Sequence, residues 1–382
     1  MKVVVALSGG VDSSVTAALL QEQGHEVEGI FMKNWSPLDS QSLTDCPWEE
    51  DQADAEAVCC HLGIPFRSIN FEREYRQKVV DYLVNEYAAG RTPNPDVLCN
   101  KEIKFDAFKK VAESLGAEAI ATGHYATVKD GKLYRGKDNG KDQSYFLYTL
   151  DGSQLENVMM PLGQMVKSEV RKEAVRFGLP TASKKDSQGI CFIGHLNLKD
   201  FLEGEIGSSP GEVRLLGEDV SEAERIGSSQ RVGEHKGSAF YTVGEKMGPY
   251  IDNRLFSKVT GINQIPPLFL AHKDAQTNVV YVTPNREDSF LLRRIFKLEK
   301  AVLTGSRNET SLVDTIAILR SKTLEAQVRY QQDPVSVKEV FEEDGSIMIE
   351  LSKPVWGAAT GQSLVLFSEN NVVGGGVVCA TR

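Results

Sequence analysis

Residues 2–24 leave this chain little freedom in what it can fold into. The run Lys2-Val3-Val4-Val5-Ala6-Leu7 is too continuously apolar and β-branched for a half-exposed strand, and reads as the first strand of a parallel sheet covered on both faces. It breaks into Ser8-Gly9-Gly10-Val11-Asp12-Ser13-Ser14, where two glycines let the backbone approach an anion. A helix follows, with Val15, Ala18 and Leu19 on one apolar face and Gly24 placed to stop it. The unpaired amides of its first turn face the loop, so phosphate oxygens fit there. Kinases and GTPases use G-x-x-x-x-G-K-[ST] for this purpose, and Ser8 to Ser14 has neither that length nor that lysine. Gly131-Lys132-Leu133-Tyr134-Arg135-Gly136-Lys137 does match G-x-x-x-x-G-K, but Asp138 stands where the Mg²⁺-binding hydroxyl belongs. The alternation from Tyr125 to Tyr134 reads instead as a hairpin turning at Asp130-Gly131.

The pattern S-G-G-x-D-S resembles the PP-loop of the ATP pyrophosphatases, which hold pyrophosphate as a leaving group while AMP passes to a substrate oxygen. The resemblance implies that Asp12 helps place Mg²⁺. An ordinary glycine-rich turn is the plainer reading. Against it stands the clustering of Ser, Gly, Gly, Asp and Ser at the C-terminal end of one strand, the ligand edge of an open α/β sheet.

Strand and helix patterns alternate to about residue 125: Glu26 to Met32, a helix near Asp51 to Leu62, Phe66 to Asn70, helices near Glu72 to Ala89 and Lys101 to Leu115, then Glu118 to Thr122. Such alternation predicts an α/β parallel sheet with right-handed crossovers. Asn34 to Trp48 has no period and reads as a loop over the nucleotide edge, and a further helix is expected near Lys167 to Phe177. Past residue 206 short β-like runs take over, including Asn278 to Thr283, Ala326 to Tyr330, Ser346 to Leu351 and Ser363 to Phe367. The expected organisation is a PP-loop catalytic domain over residues 1–206, a small central β domain over 207–286 and a β-barrel-like domain over 287–382.

No apolar run approaches a membrane span and the first strand begins at residue 2, so a cytoplasmic protein without membrane partners is expected. Six cysteines in 382 residues form no disulfide framework, and none has zinc or iron-sulfur spacing, so no metal site is expected on them. A net charge of -10 argues against indiscriminate nucleic-acid binding. A local basic face remains open, built from Lys101, Lys104, Lys109, Lys110, Lys184 and Lys185.

Cys59 lies on the apolar face Ala55, Val58, Cys59, Leu62 of a helix and reads as core. Cys99 sits in Arg91-Thr92-Pro93-Asn94-Pro95-Asp96-Val97-Leu98-Cys99-Asn100, whose prolines are expected to forbid helix until Lys101, and Cys191 in Asp186-Ser187-Gln188-Gly189-Ile190-Cys191-Phe192-Ile193-Gly194. Two thiols in polar, turn-rich segments point toward chemistry, because a reactive thiolate needs donors nearby.

Together and in this order, the PP-loop, Arg91 to Phe105, Gly123-His124-Tyr125-Ala126, Lys141-Asp142-Gln143-Ser144-Tyr145-Phe146-Leu147 and Asp186 to Gly194 resemble the tRNA-specific 2-thiouridylases, which use ATP and a persulfide to thiolate the wobble uridine. The resemblance recurs at Gln327-Val328-Arg329-Tyr330 and Thr360-Gly361-Gln362-Ser363. It implies that Ala6, Leu7, Ser8, Gly9, Gly10, Val11, Asp12, Ser13, Met32 and Gly123 hold ATP, and that Asn94, Pro95 and Asp96 meet the target base. Cys191 would carry the persulfide, with Cys99 as its partner and Asp96 as general acid/base. His124, Gln143, Ser144, Tyr145, Arg329, Tyr330 and Gln362 would face tRNA. A cysteine desulfurase or sulfur-relay protein would supply sulfur.

One stretch departs from the family's H-T-x-G-Q-R-x-G: here it is Tyr241-Thr242-Val243-Gly244-Glu245-Lys246-Met247-Gly248, which loses a bidentate arginine fork. Two other readings stay open. Another PP-loop adenylating ligase, such as a GMP or argininosuccinate synthetase, needs the first loop but not both cysteines. A nucleotide- or tRNA-binding module would show no tRNA-dependent pyrophosphate release.

Overall fold

The computed structural model describes residues 1–36, 47–185, 197–218 and 221–382. The central part of the Asn34 to Trp48 loop, and the segment from Asp186 to Gly194 with Cys191, lie outside the described residues.

Strands β1 (Lys2–Leu7), β2 (Glu26–Lys33), β3 (Phe66–Asn70) and β4 (Ala119–Ala121) alternate with helices, and the hairpin β5 (Ala126–Lys129) and β6 (Lys132–Arg135) precedes a short β7 (Val158–Met159). They form an all-parallel sheet in the order β3-β2-β1-β4-β7, with the hairpin left out. Val3, Val4 and Val5 are wholly buried, as a strand covered on both faces requires. Strand order reverses at β1, so the crevice at the C-terminal ends of β1 and β4 is the topological switch point where such sheets bind ligands.

Helix α1 (Val11–Glu22) ends before Gly24, whose φ of +84° closes it. Helix α2 (Pro47–Leu62) starts earlier than its periodicity suggests and buries Cys59. Burial, then Cys60 and Glu56, push the Cys59 thiol up to about 12, as suits an inert core group.

The expectation that Pro93 and Pro95 hold off helix until Lys101 fails. Helix begins at Pro95 (Pro95–Leu98), widens into π-helical turns over Cys99–Ala107 and finishes as Phe108–Ser114. Pro95 occupies the first helical position, where the missing N–H costs nothing and its φ is already helical. Cys99 is therefore a fully buried helical residue, in the same apolar core as Val97, Ile103 and Phe105.

A four-stranded sheet covers the middle of the chain, in the order Phe269–Asp274, Val279–Thr283, Gly211–Leu215, Gln230–His235. In the C-terminal part, Leu292–Leu303 pairs with both Ser346–Trp356 and Asn371–Thr381, closing the strands into a barrel. The Asp130-Gly131 hairpin forms as expected, with both turn residues at positive φ (+52° and +69°). It reaches out of its own domain: Tyr134 stands opposite Asn371, and Arg135 N–H donates to Asn370 O at 2.8 Å. The strand expected through Tyr330 stops at Gln327, leaving Arg329 and Tyr330 in a turn where Gln331 has φ +62°.

Candidate functional site

The loop after β1 is built so that only glycine fits at its tip. Gly9 has φ +72°, and a Cβ there would collide with the Asp51 carbonyl of α2. Past β4, a Cβ on Gly123 would lie 2.9 Å from the Asp12-Ser13 peptide. Ser13 Oγ accepts from Ser8 N–H at 3.2 Å and donates to Gly10 O at 3.1 Å, while Ser14 Oγ donates to Gly10 O at 2.8 Å and accepts from Thr181 Oγ1 at 3.0 Å. The serines thus hold the shape of the loop. The amides of Val11, Asp12 and Ser13, which have no intrahelical acceptor, remain for an anion.

Among the described residues, Lys167 and Tyr125 hydrogen-bond Asp12. Lys167 Nζ donates to Oδ1 at 2.7 Å and Oδ2 at 2.9 Å, and the Tyr125 hydroxyl donates to Oδ1 at 2.8 Å. Sequence reasoning missed Lys167, although a signal was present: it opens the helix Lys167–Arg176, and a cation in a first turn opposes the helix dipole. Helix N-terminus, ammonium and carboxylate together make a set of groups that would suit a Mg²⁺-bound polyphosphate. Met32 is buried at the end of β2, and Asn34 beyond it is 1% exposed with neither amide atom hydrogen-bonded among the described residues. That orphaned donor and acceptor suits the edge of a purine.

Tyr125 joins this loop to a second group of residues. Gln143 N–H donates to Tyr125 O at 3.0 Å, and Tyr125 N–H donates to Gln143 Oε1 at 3.1 Å. Next in the chain, Asp142 holds Ser144 through its amide and hydroxyl, both at 3.1 Å. The Tyr145 hydroxyl donates to Ser363 O of the barrel at 2.8 Å and interacts with Asn94, and Phe146 O accepts from Asn100 beside Cys99 at 3.4 Å. The Tyr330 ring lies 4.4 Å from that of Phe146 and 6.2 Å from that of Tyr145. Gln362 Nε2 donates to Thr92 O at 2.8 Å, just ahead of Asn94-Pro95-Asp96.

His124 lies beside Gly123 and is buried. Its Nδ1 is 2.7 Å from Thr122 Oγ1 and its Nε2 3.5 Å from Lys104 Nζ. The Lys104 ammonium can only donate, so Nε2 accepts and Nδ1 carries the proton. Burial, then the Lys104 charge, hold the imidazole well below its usual range, and it is neutral. Arg329 is half-buried, its Nη1 2.9 Å from where a Cβ on Gly357 would stand, and no carboxylate pairs with it among the described residues. Burial pulls its pKa down without discharging it.

Burial divides the residues set against RNA by resemblance. Gln143, Arg329, Tyr330 and Gln362 are half-exposed, whereas His124, Ser144 and Tyr145 are buried. Two lysines of the expected basic face have partners within the protein. Lys109 Nζ donates to the carbonyls of Ser153 and Glu156, both at 2.6 Å, and Lys184 is held by Asp51 and Asp54. Asp96 is half-buried, and Cys99 is closed off from solvent.

Family models match the chain in three consecutive pieces. They are described as a tRNA methyl transferase HUP domain over residues 1–195, a tRNA methyl transferase PRC-barrel domain over 199–284 and an aminomethyltransferase beta-barrel domain over 300–378. The chain is 42% identical over 384 residues to the tRNA-specific 2-thiouridylase MnmA of Listeria monocytogenes serotype 4a (strain HCC23), covering 99% of this chain and 94% of that one. It is 41% identical to the MnmA of Xylella fastidiosa (strain 9a5c), over 100% of this chain and 94% of the relative. For the MnmA of Nitrosomonas eutropha (strain DSM 101675 / C91 / Nm57) the identity is 41%, over 99% and 98%. With the HUP-domain match ending at residue 195 and these identities running nearly end to end, the chain belongs to the tRNA-specific 2-thiouridylase family of sulfurtransferases.

Proposed function

We propose that the chain thiolates the wobble uridine of tRNA at C2, with ATP as the activating substrate. The observation that carries the reading is continuity. Tyr125 bonds Asp12 through its hydroxyl and Gln143 through its backbone, so the phosphate loop runs by direct contact into the residues that hold Asn94, Asn100 and Tyr330.

Residues Ala6 to Ser13, Met32 and Gly123 hold ATP. Asp12 places Mg²⁺, which when bound neutralises charge on the departing pyrophosphate, and Lys167 supplies a second positive charge at the same carboxylate. Asn94, Pro95 and Asp96 meet the base. The uracil C2 oxygen displaces pyrophosphate from the α-phosphorus, and the resulting AMP ester turns a poor electrophile into one with a good leaving group. Asp96 handles the proton at the base. The terminal sulfur of a persulfide on Cys191 attacks C2 and AMP departs. The Cys99 thiolate then attacks Cys191 Sγ, the bond from that atom to the transferred sulfur breaks with its electron pair on the latter, and a Cys99-Cys191 disulfide remains. An external thiol reopens it, and a cysteine desulfurase or sulfur-relay protein in the cytoplasm reloads Cys191. Gln143, Arg329, Tyr330 and Gln362 form the tRNA-facing surface, with His124, Ser144 and Tyr145 beneath it.

Mass spectrometry of tRNA nucleosides from cells lacking the protein tests this reading. Loss of 2-thiolated wobble uridine, restored by the intact gene, is expected, and an unchanged thiolation level contradicts it.

A further inference from the structure

Thr92 stands two residues before Asn94, and its polar groups bond across domain boundaries. Its N–H donates to Thr360 O at 2.8 Å, its carbonyl accepts from Gln362 Nε2 at 2.8 Å, and its hydroxyl shares a hydrogen bond with the Thr242 hydroxyl at 3.2 Å. Thr360 and Gln362 belong to the C-terminal barrel and Thr242 to the central domain, so three domains meet at one residue that is 6% exposed. The fit allows no slack. Gly361 has φ +90°, and a Cβ on it would lie 2.8 Å from both N and O of Thr92. Two residues upstream of Thr92, a Cβ on Gly90 would lie 2.7 Å from Cβ of Ala275 in the central domain.

Residues 91–94 form neither helix nor strand, so no local ladder fixes the approach to the helix that starts at Pro95. Contacts from the other two domains do so instead. Thr242 and Gly244, which keep the family pattern, lie at this joint: Thr242 bonds Thr92, and a Cβ on Gly244 (φ +89°) would lie 2.8 Å from the Trp356 ring of the barrel. Tyr241 and Glu245 depart from it. Tyr241 O accepts from Lys273 Nζ at 2.7 Å, while Glu245 takes Lys199 and, at 3.2 Å, the Thr242 N–H.

We propose that Thr92 is a positioning residue through which the central domain and the barrel together place Asn94-Pro95-Asp96 for reaction with the target base. The inference rests on the reading above that these three residues meet the base.

The test is tRNA-dependent AMP formation by the full-length protein carrying Thr92→Val, Thr242→Val, both together, Thr92→Ser, or Asp96→Asn. Positioning predicts that each valine variant lowers kcat about tenfold while KM for tRNA and Kd for ATP stay near wild type. The double variant should be no slower than either single one, because both remove the same bond. Thr92→Ser, which keeps the hydroxyl, should recover most of the rate. Wild-type kcat in Thr92→Val, losses that multiply in the double variant, or losses that follow a fall in folded fraction by circular dichroism would overturn the proposal. The Asp96→Asn arm separates the two readings. Normal turnover there removes the base-contact reading and this inference with it, whereas an inactive Asp96→Asn beside a fully active Thr92→Val overturns this inference alone.

Discussion

Lys167 Nζ donates to both carboxylate oxygens of Asp12, at 2.7 and 2.9 Å, across 155 residues of sequence. Asp12 lies in the first turn of α1, just past the loop at the switch point of the sheet, and Lys167 opens the helix Lys167–Arg176. Asp12 is 33% exposed and Lys167 16%, and a partly exposed ion pair of this kind adds on the order of 1 kcal/mol or less to stability. Its value is at the site.

Lys167→Met and Asp12→Asn should therefore each lower tRNA-dependent pyrophosphate release by about 100-fold or more, and shift the unfolding midpoint by only a few degrees. Pyrophosphate release and thermal melts on the same preparations check this. Near-normal release from either variant removes that residue from the phosphate machinery.

Stability should carry an acid-sensitive contribution from His124. Its folded pKa lies below the ordinary 6.5, so the unfolded chain binds the proton first. The contribution is complete above about pH 6.5 and is lost as pH falls below it, by up to about 1.4 kcal/mol per pH unit from this group. Urea unfolding at pH 7.5 and pH 5.5 should show a smaller acid loss for His124→Gln than for wild type. Equal losses would remove His124 as the source.

Arg329 should act on tRNA as a phosphate partner. Arg329→Gln is expected to weaken tRNA binding, to reduce the salt dependence of log Kd by about one, and to leave ATP binding intact. Arg329→Lys should restore little, because a point charge does not reproduce the guanidinium fork. Binding titrations at several salt concentrations decide it, and an unchanged slope contradicts the assignment.

What was legible in the sequence was local. The valine run, the glycine loop and the period of α1 each lie within a dozen residues, and they specify strand, anion cradle and helix without help from the rest of the chain. Cys99 was misplaced because Pro95 reads as a helix breaker when its neighbours are unknown, whereas at a first helical position it starts the helix. Lys167 and Thr92 were hidden for a different reason: the contacts that define them span 155 and 270 residues. Resemblance set Ser144 and Tyr145 against tRNA but gave no sign that both are buried, since burial depends on how the barrel closes over them.

The central claim is that sulfur reaches tRNA through Cys191 after adenylation at the PP-loop, and a single-turnover assay tests it most directly. Wild type, Cys191→Ser, Cys99→Ser and Cys59→Ser are each mixed with tRNA, labelled ATP and a persulfide donor, and AMP and 2-thiouridine are read separately. The account predicts that Cys191→Ser forms AMP but no thiolated tRNA, that Cys99→Ser stalls before product release, and that Cys59→Ser, a change in the core, alters stability alone. Full thiolation by Cys191→Ser would contradict the account.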